Sequence, residues 1–162
     1  MATIYLGIGS NVGNSREHIK EAIALLGGSI RSIVQAPIYT SKAVGYTDQP
    51  DFFNTVVKGD TTLKPIDLLR FVKDIERSVG RIERFRWGPR EIDIDIIFYD
   101  DVVMAKEILT IPHPRFRERD FVLRPLGDIS PALIDPISKR TITELLGQLP
   151  EDNVAILKKL SD

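Results

Sequence analysis

The predicted element order, βαββαβ followed by a hairpin and short helices, is that of an α+β sandwich of the ferredoxin-like kind: an antiparallel sheet with helices packed on one face. Two observations predict it. Stretches 3–8, 52–59 and 92–98 are β-rich or alternate apolar and polar residues, as strands do. Apolar residues at helical spacing over 15–26 and 65–79 put two helices between them. No repeat, linker or low-complexity segment divides the 162 residues, so a single domain over 1–162 is expected, with an added C-terminal hairpin and helical portion.

Taken in order, Thr3 to Ile8 reads as the first strand, and the turn Gly7-Ile8-Gly9-Ser10-Asn11-Val12-Gly13-Asn14 leads out of it. Ser15 can cap a helix to Leu26 that places Ile19, Ile23 and Leu26 on one face. The turn lacks the Gly-Lys-Ser/Thr ending of a P-loop and the glycine spacing of a dinucleotide site, so a tight strand-to-helix turn is the plainer reading. Ser29 to Tyr39 reads as one strand, and residues 40–51 as a long polar loop. Phe52 to Gly59 is the third strand, with Phe52, Asn54 and Val56 on one face. An amide between two apolar residues needs a partner there. Pro65 opens a helix to Val79 whose stripe of Leu68, Leu69, Val72, Ile75 and Val79 is core, and Gly80 closes it. After the strand 92–98, Tyr99-Asp100-Asp101 reads as a turn with Val102-Val103 returning in a hairpin. Short helices are expected at 121–129 and 141–147, the latter capped by Thr141 or Thr143, and a last strand at 154–157.

Composition excludes several function classes. A net charge of −1 argues against a generic nucleic-acid binder, and no apolar run reaches membrane-spanning length. There is no cysteine, hence no disulfide framework and no thiolate metal site. The N-terminus lacks a basic region followed by an apolar one, so a cytoplasmic protein is expected, without nucleic-acid or membrane partners. A monomer is expected, with a dimer left open.

Chemistry concentrates in Arg86-Trp87-Gly88-Pro89-Arg90-Glu91-Ile92-Asp93-Ile94-Asp95-Ile96-Ile97-Phe98. Strict alternation sends Ile92, Ile94 and Ile96 to a core and sets Asp93 and Asp95 side by side on the other face, about 7 Å apart at the Cα. Two neighbouring carboxylates repel unless a cation relieves them. Mg²⁺ suits them, because it takes few carboxylates and completes its shell with water and phosphate oxygens. Arg81, Arg84, Arg86 and Arg90 fall within ten residues that contain Glu83 and no lysine. Guanidinium forks match phosphate geometry, so metal-assisted phosphoryl chemistry on a nucleotide is indicated. The plainer alternative is a half-exposed strand beside a solvated basic loop. Against it, Asp is depleted in strands.

Residues 86–90 together with Ile92-Asp93-Ile94-Asp95-Ile96 resemble the signature of the 6-hydroxymethyl-7,8-dihydropterin pyrophosphokinase family, folate-pathway enzymes that move pyrophosphate from ATP to a pterin alcohol. The resemblance extends to Gln49-Pro50-Asp51-Phe52-Phe53-Asn54 and to His113, Arg119 and Phe121, and is weakest beyond about residue 135. It implies catalytic roles for Arg81, Arg90, Asp93 and Asp95, with Asp93 and Asp95 holding Mg²⁺, two ions in all. It implies ATP contacts at Glu76, Arg81, Arg84, Arg86, Trp87, Arg90, Ile96, His113 and Arg119, with the choice between Arg81 and Arg84 for phosphate left open. It implies pterin contacts at Ser41, Lys42, Val44, Phe52, Asn54, Trp87, Asp93, Asp95 and Phe121, and a pocket shaped by Gly9 to Asn11. Phe121 and Phe52 or Phe53 can supply the flat apolar walls a pterin needs. Residues 80–89, with Trp87, and 44–50 are expected to close over the substrates.

Two other classes fit parts of the pattern. A metal-dependent phosphoesterase or nucleotidyltransferase could use the same Asp pair. A non-catalytic RNA-binding module shares the topology, but it needs aromatic and basic residues on its central strands, where Asp93 and Asp95 stand.

Overall fold

The computed structural model describes residues 1–82 and 84–160, and Glu83 lies outside them. Among the described residues eight strands and four helices follow in order: β1 Ala2–Ser10, α1 Ser15–Leu26, β2 Ile30–Gln35, β3 Tyr39–Ser41, β4 Phe52–Thr61, α2 Pro65–Val79, β5 Asp93–Tyr99, β6 Met104–Ala105, β7 Thr110–Ile111, α3 Asp120–Ile129, α4 Ile142–Gln148 and β8 Ile156–Lys159. A 3-10 turn at Phe116–Glu118 precedes α3. The main sheet is antiparallel in the order β5-β1-β4-β3-β8, with β2 also paired to β4. The expected α+β sandwich is present.

The alternation in β1 and β5 divides the core in two. Ile4, Leu6, Ile8, Val57, Ile92, Ile94 and Ile96 face α1 (Ile19, Ala22, Leu26) and α2 (Leu68, Val72, Ile75, Val79). Tyr5, Val56, Ile97 and Phe98 face the opposite way, against Phe116, α3 (Val122, Leu123, Leu126) and α4 (Ile142, Leu145). Each Val, Leu, Ile or Phe side chain among them, fully buried, contributes about 1.5–3 kcal/mol of apolar transfer free energy. Helices therefore cover part of the second face as well as the first, a correction to the one-sided packing expected. The physical reason is the apolar residues that β5 sends to that side once its alternation breaks. Ile96 pairs with Leu6 and Phe98 with Tyr5, leaving Ile97 as an extra residue in a bulge.

Other boundaries differ from expectation for local reasons. The stretch 29–39 is two strands rather than one. Pro37 carries no N–H and interrupts pairing, yet β2 and β3 lie one after the other along the same edge of β4. Asn14, not Ser15, caps α1 by accepting from the Glu17 N–H. Thr141 caps α4 in a reciprocal box with Glu144. Val102-Val103 does not return along β5. The Val102 N–H closes a turn on Tyr99, β6 pairs with β7, and the outer edge of β5 receives the His113 N–H at the Ile97 carbonyl. The last strand starts two residues later than expected and pairs with β3.

Candidate active site

The open part of the sheet's second face is the floor of the site. Asp93 and Asp95 stand directly opposite Gly9 and Gly7 of β1, and the rows continue across β4 to Asn54 and Val56. Residues paired this way share a face. The two glycines keep the floor flat. A Cβ on Gly9 would stand 3.2 Å from Asn54 Oδ1, and one on Gly7 would stand 3.2 Å from Ile97 Cδ1. Around this floor is a pocket walled by Ser41, Lys42, Val44, Phe52, Trp87, Arg119 and Phe121, with Asn54, Arg90, Asp93 and Asp95 also exposed to it. Phe52 is the wall residue, whereas Phe53 packs on the α1–α2 core. Asn54 has the partner its burial demands, donating from Nδ2 to Ser41 Oγ at 2.7 Å.

A second cleft meets the first at Asp95. It is lined by Leu69, Lys73, Ile96, Leu109, Thr110 and His113, among others. Ile96 thus contributes to this wall while belonging to the core. The Ile97 bulge fixes His113 there through the Ile97 carbonyl, leaving His113 Nε2 3.9 Å from Asp95 Oδ2. His113 Nδ1 accepts the Arg115 N–H at 3.1 Å, so the proton of the neutral ring sits on Nε2. Burial, with the Arg119 charge adding to it, lowers the His113 pKa to about 4. At neutral pH His113 is an uncharged donor, not a cation.

Burial, and secondarily the Asp93 charge, pushes the Asp95 carboxyl up to about 7. Asp93 is held differently: Oδ1 accepts from Arg81 at 3.0 Å and Oδ2 from Arg90 at 2.9 Å. Arg81 also reaches Glu76 at 2.9 Å. Glu76 is buried, accepts the Ile94 N–H at 2.7 Å, and lies 3.3 Å from Lys73 Nζ. Burial raises its pKa against the pull of Lys73, the Ile94 N–H and Arg81. Glu76 therefore lies beneath the site, joining α2 to β5 and to Arg81, rather than in either cleft.

Fewer than three metal-capable side chains cluster anywhere among the described residues. Asp93 and Asp95 nevertheless fit Mg²⁺, which needs few protein oxygens and takes the rest from phosphate and water. Each Asp93 oxygen retains a second lone pair beside its arginine. Burial and, secondarily, the Asp93 charge disfavour the Asp95 carboxylate, and a cation bound between the two would offset both.

The arginines separate by partner. Arg84 makes a forked pair with Glu91, at 2.8 and 2.7 Å, and lines neither cleft. Arg86 is exposed and lies 5.0 Å over the Trp87 ring. Arg115 and Arg119 also lie over that ring, at 4.7 and 5.9 Å. Sequence reasoning did not single out Arg115, Lys73 or Glu91. Lys73 was legible as a cation one helical turn before Glu76; Glu91 carried no signal of its own.

Asn11 and Gln49 knit three loops over the pocket. Asn11 exchanges hydrogen bonds with the Arg90 backbone and donates to Gln49 Oε1 and the Pro50 carbonyl. Gln49 Nε2 donates to the carbonyls of Tyr46 and Trp87, at 2.6 and 2.7 Å. Tyr46 meets Phe85 edge to face, with centroids 4.8 Å apart. Trp87 packs on Gly45, where a Cβ would come within 3.0 Å of the indole and φ is +84°.

The family model described as 7,8-dihydro-6-hydroxymethylpterin-pyrophosphokinase (HPPK) matches residues 5–131. A 2-amino-4-hydroxy-6-hydroxymethyldihydropteridine pyrophosphokinase of Aquifex aeolicus is 46% identical over 144 residues, 89% of this chain and 90% of that protein. One from Methylorubrum extorquens is 38% identical over 95% of this chain and 98% of its own length. The folic acid synthesis protein fol1 of Schizosaccharomyces pombe is 42% identical over 94% of this chain, which spans 21% of that protein. Among solved structures, wild-type Plasmodium falciparum HPPK-DHPS superposes with a TM-score of 0.74 at 16% identity, over 91% of this chain and 44% of that one. That likeness carries the fold. Taken together, the relatives define a transferase of the pyrophosphokinase class. The chain belongs to the 7,8-dihydro-6-hydroxymethylpterin-pyrophosphokinase family, whose members act in folate biosynthesis. No helix among the described residues is long and apolar enough to cross a membrane.

Proposed function

We propose that the chain transfers pyrophosphate from ATP to the hydroxymethyl oxygen of 6-hydroxymethyl-7,8-dihydropterin, with Mg²⁺ held by Asp93 and Asp95. The observation that carries this reading is the meeting of two unlike clefts at one carboxylate, Asp95. The flat, aromatic-walled pocket suits a planar heterocycle: Phe52, Trp87 and Phe121 offer ring faces, and Asn54 offers an amide to its polar edge. The second cleft suits the nucleotide, with Leu69, Ile96 and Leu109 against the base and Lys73 and His113 toward the phosphates.

The pterin hydroxyl oxygen attacks the β-phosphorus, and the bridge to the α-phosphate breaks. AMP leaves with the bridging oxygen, and the hydroxyl proton passes to solvent. Bound Mg²⁺ would neutralise phosphate charge and lower the pKa of the attacking hydroxyl. Arg90 and Arg119, which line the pocket, offer guanidinium donors to charge developing on the bridging oxygens. His113 donates Nε2–H as a neutral group and does not compete with Asp95 for the metal. Arg81 orients Asp93 from Glu76. The knit loops at Asn11 and Gln49 exclude water that would otherwise take the phosphoryl group.

The test is a mixture of protein, ATP, Mg²⁺ and the dihydropterin, with the nucleotide product resolved. AMP and a pterin diphosphate in equal amounts are expected. ADP as the product, or turnover without the pterin, overturns the reading.

A further inference from the structure

Asp120 is buried at the first turn of α3, between the two pocket residues Arg119 and Phe121. Asp120 itself does not line the pocket. Instead Oδ2 accepts two consecutive backbone N–H groups at the start of β8, from Ala155 at 2.9 Å and Ile156 at 3.0 Å. The same short segment holds the opposite wall. The Ala155 carbonyl accepts the Lys42 N–H at 2.8 Å, and Ile156 pairs with Ser41. Ser41 in turn receives Asn54 Nδ2. Asn153 adds a bond to the Glu118 carbonyl at 2.8 Å. One stretch of backbone thus lies between the wall made by Arg119 and Phe121 and the wall made by Ser41 and Lys42.

We propose that Asp120 and residues 153–156 form a clasp that sets the spacing of the two pterin-pocket walls, which makes Asp120 a positioning residue for the pterin. The inference rests on the assignment of that pocket to the pterin. At its far end α3 is tied to β3 independently, where Asp128 accepts from Tyr39 and pairs with Lys159 at 3.6 Å. Loss of the Asp120 contact therefore lets the pocket end of α3 swing while the other end stays anchored. The nucleotide cleft, built from α2, β5 and β7, shares none of these contacts. A carboxylate that accepts two amides is held more firmly than a neutral acceptor would be.

The test uses full-length Asp120→Ala, Asp120→Asn and Ile156→Pro. The proline deletes one donor at the first residue of a strand, where proline is tolerated. Binding of Mg²⁺ with α,β-methylene-ATP is titrated first, and then the dihydropterin against the nucleotide-saturated protein. Asp120→Ala and Ile156→Pro should each weaken pterin binding about tenfold and leave nucleotide binding within about twofold. Asp120→Asn, which keeps an acceptor, should recover most of the loss. Hydrogen exchange should quicken at the Lys42 and Ile156 amides of Asp120→Ala and stay unchanged in β1. Wild-type pterin affinity in both Asp120→Ala and Ile156→Pro overturns the clasp while leaving the pocket assignment standing. Equal loss of both ligands also overturns it, since a general structural role would produce that. Failure of the wild-type protein to bind the dihydropterin overturns the pocket assignment itself, and the clasp with it.

Discussion

Arg84 and Glu91 form a two-pronged ion pair that closes the arginine-rich loop on itself, with Glu91 Oε1 also accepting the Ile82 N–H. Arg84 thereby lowers the Glu91 pKa to about 2. A depressed carboxylate contributes stability that is full above its unfolded value of 4.5 and is lost as pH falls through about 2. Glu91→Gln should therefore melt below wild type at pH 6, and the gap should narrow steadily below about pH 4. A gap that is the same at pH 6 and at pH 2.5 would remove the pair from the stability of the loop.

Asp95 has the opposite sign. Its folded pKa of about 7 lies above the unfolded 3.8, so ionisation opposes folding. The penalty is absent below 3.8, grows between the two values and is full above about 7. Asp95→Asn should raise the melting temperature of the metal-free protein at pH 8, by about 2–4 °C for each kcal/mol relieved, and the gain should vanish by about pH 4. The same change should abolish pyrophosphoryl transfer. A variant less stable than wild type at pH 8 would assign Asp95 to the fold rather than to a cation.

Phe121 lies partly in the α3–α4 core and partly on the pocket wall. Phe121→Ala should weaken dihydropterin binding by about 1–3 kcal/mol through lost stacking and burial, with nucleotide binding much less affected. Calorimetry that finds equal losses for both ligands would place its role in packing.

Gln49 bonds at once to Asn11 and to the Tyr46 and Trp87 carbonyls of the two loops. Gln49→Ala should leave three partners without it and raise hydrogen exchange over 44–50 and 84–90. Each lost bond is worth about 0.5–1.5 kcal/mol. Transfer should slow with little change in melting temperature. Unchanged exchange in both loops would show that the Tyr46–Phe85 contact and the Trp87–Gly45 packing suffice to hold them.

The sequence by itself determined the strand that carries Asp93 and Asp95. Period-two alternation fixes which side chains share a face, whatever the strand pairs with. It likewise determined α2, because an apolar stripe at helical spacing has one way to bury itself: Leu68, Val72, Ile75 and Val79 are buried as the spacing requires, while Leu69 is left partly open at the second cleft. Family membership was legible for the same reason: the motif at 86–96 lies within one loop and one strand. What tertiary structure decided is who meets whom. Nothing local says that Arg84 is spent on Glu91 while Arg90 reaches Asp93, because four arginines in a loop look alike until the chain returns past them. Nothing local says that Gly7 and Gly9 lie opposite the two carboxylates; that is a matter of strand register. The second cleft needed His113 to dock on the Ile97 carbonyl at the outer edge of β5, at a one-residue slip that periodicity cannot reveal. The role of Asp120 depended on a strand 35 residues away in sequence, brought beside it by the tertiary fold, in which β8 pairs with β3.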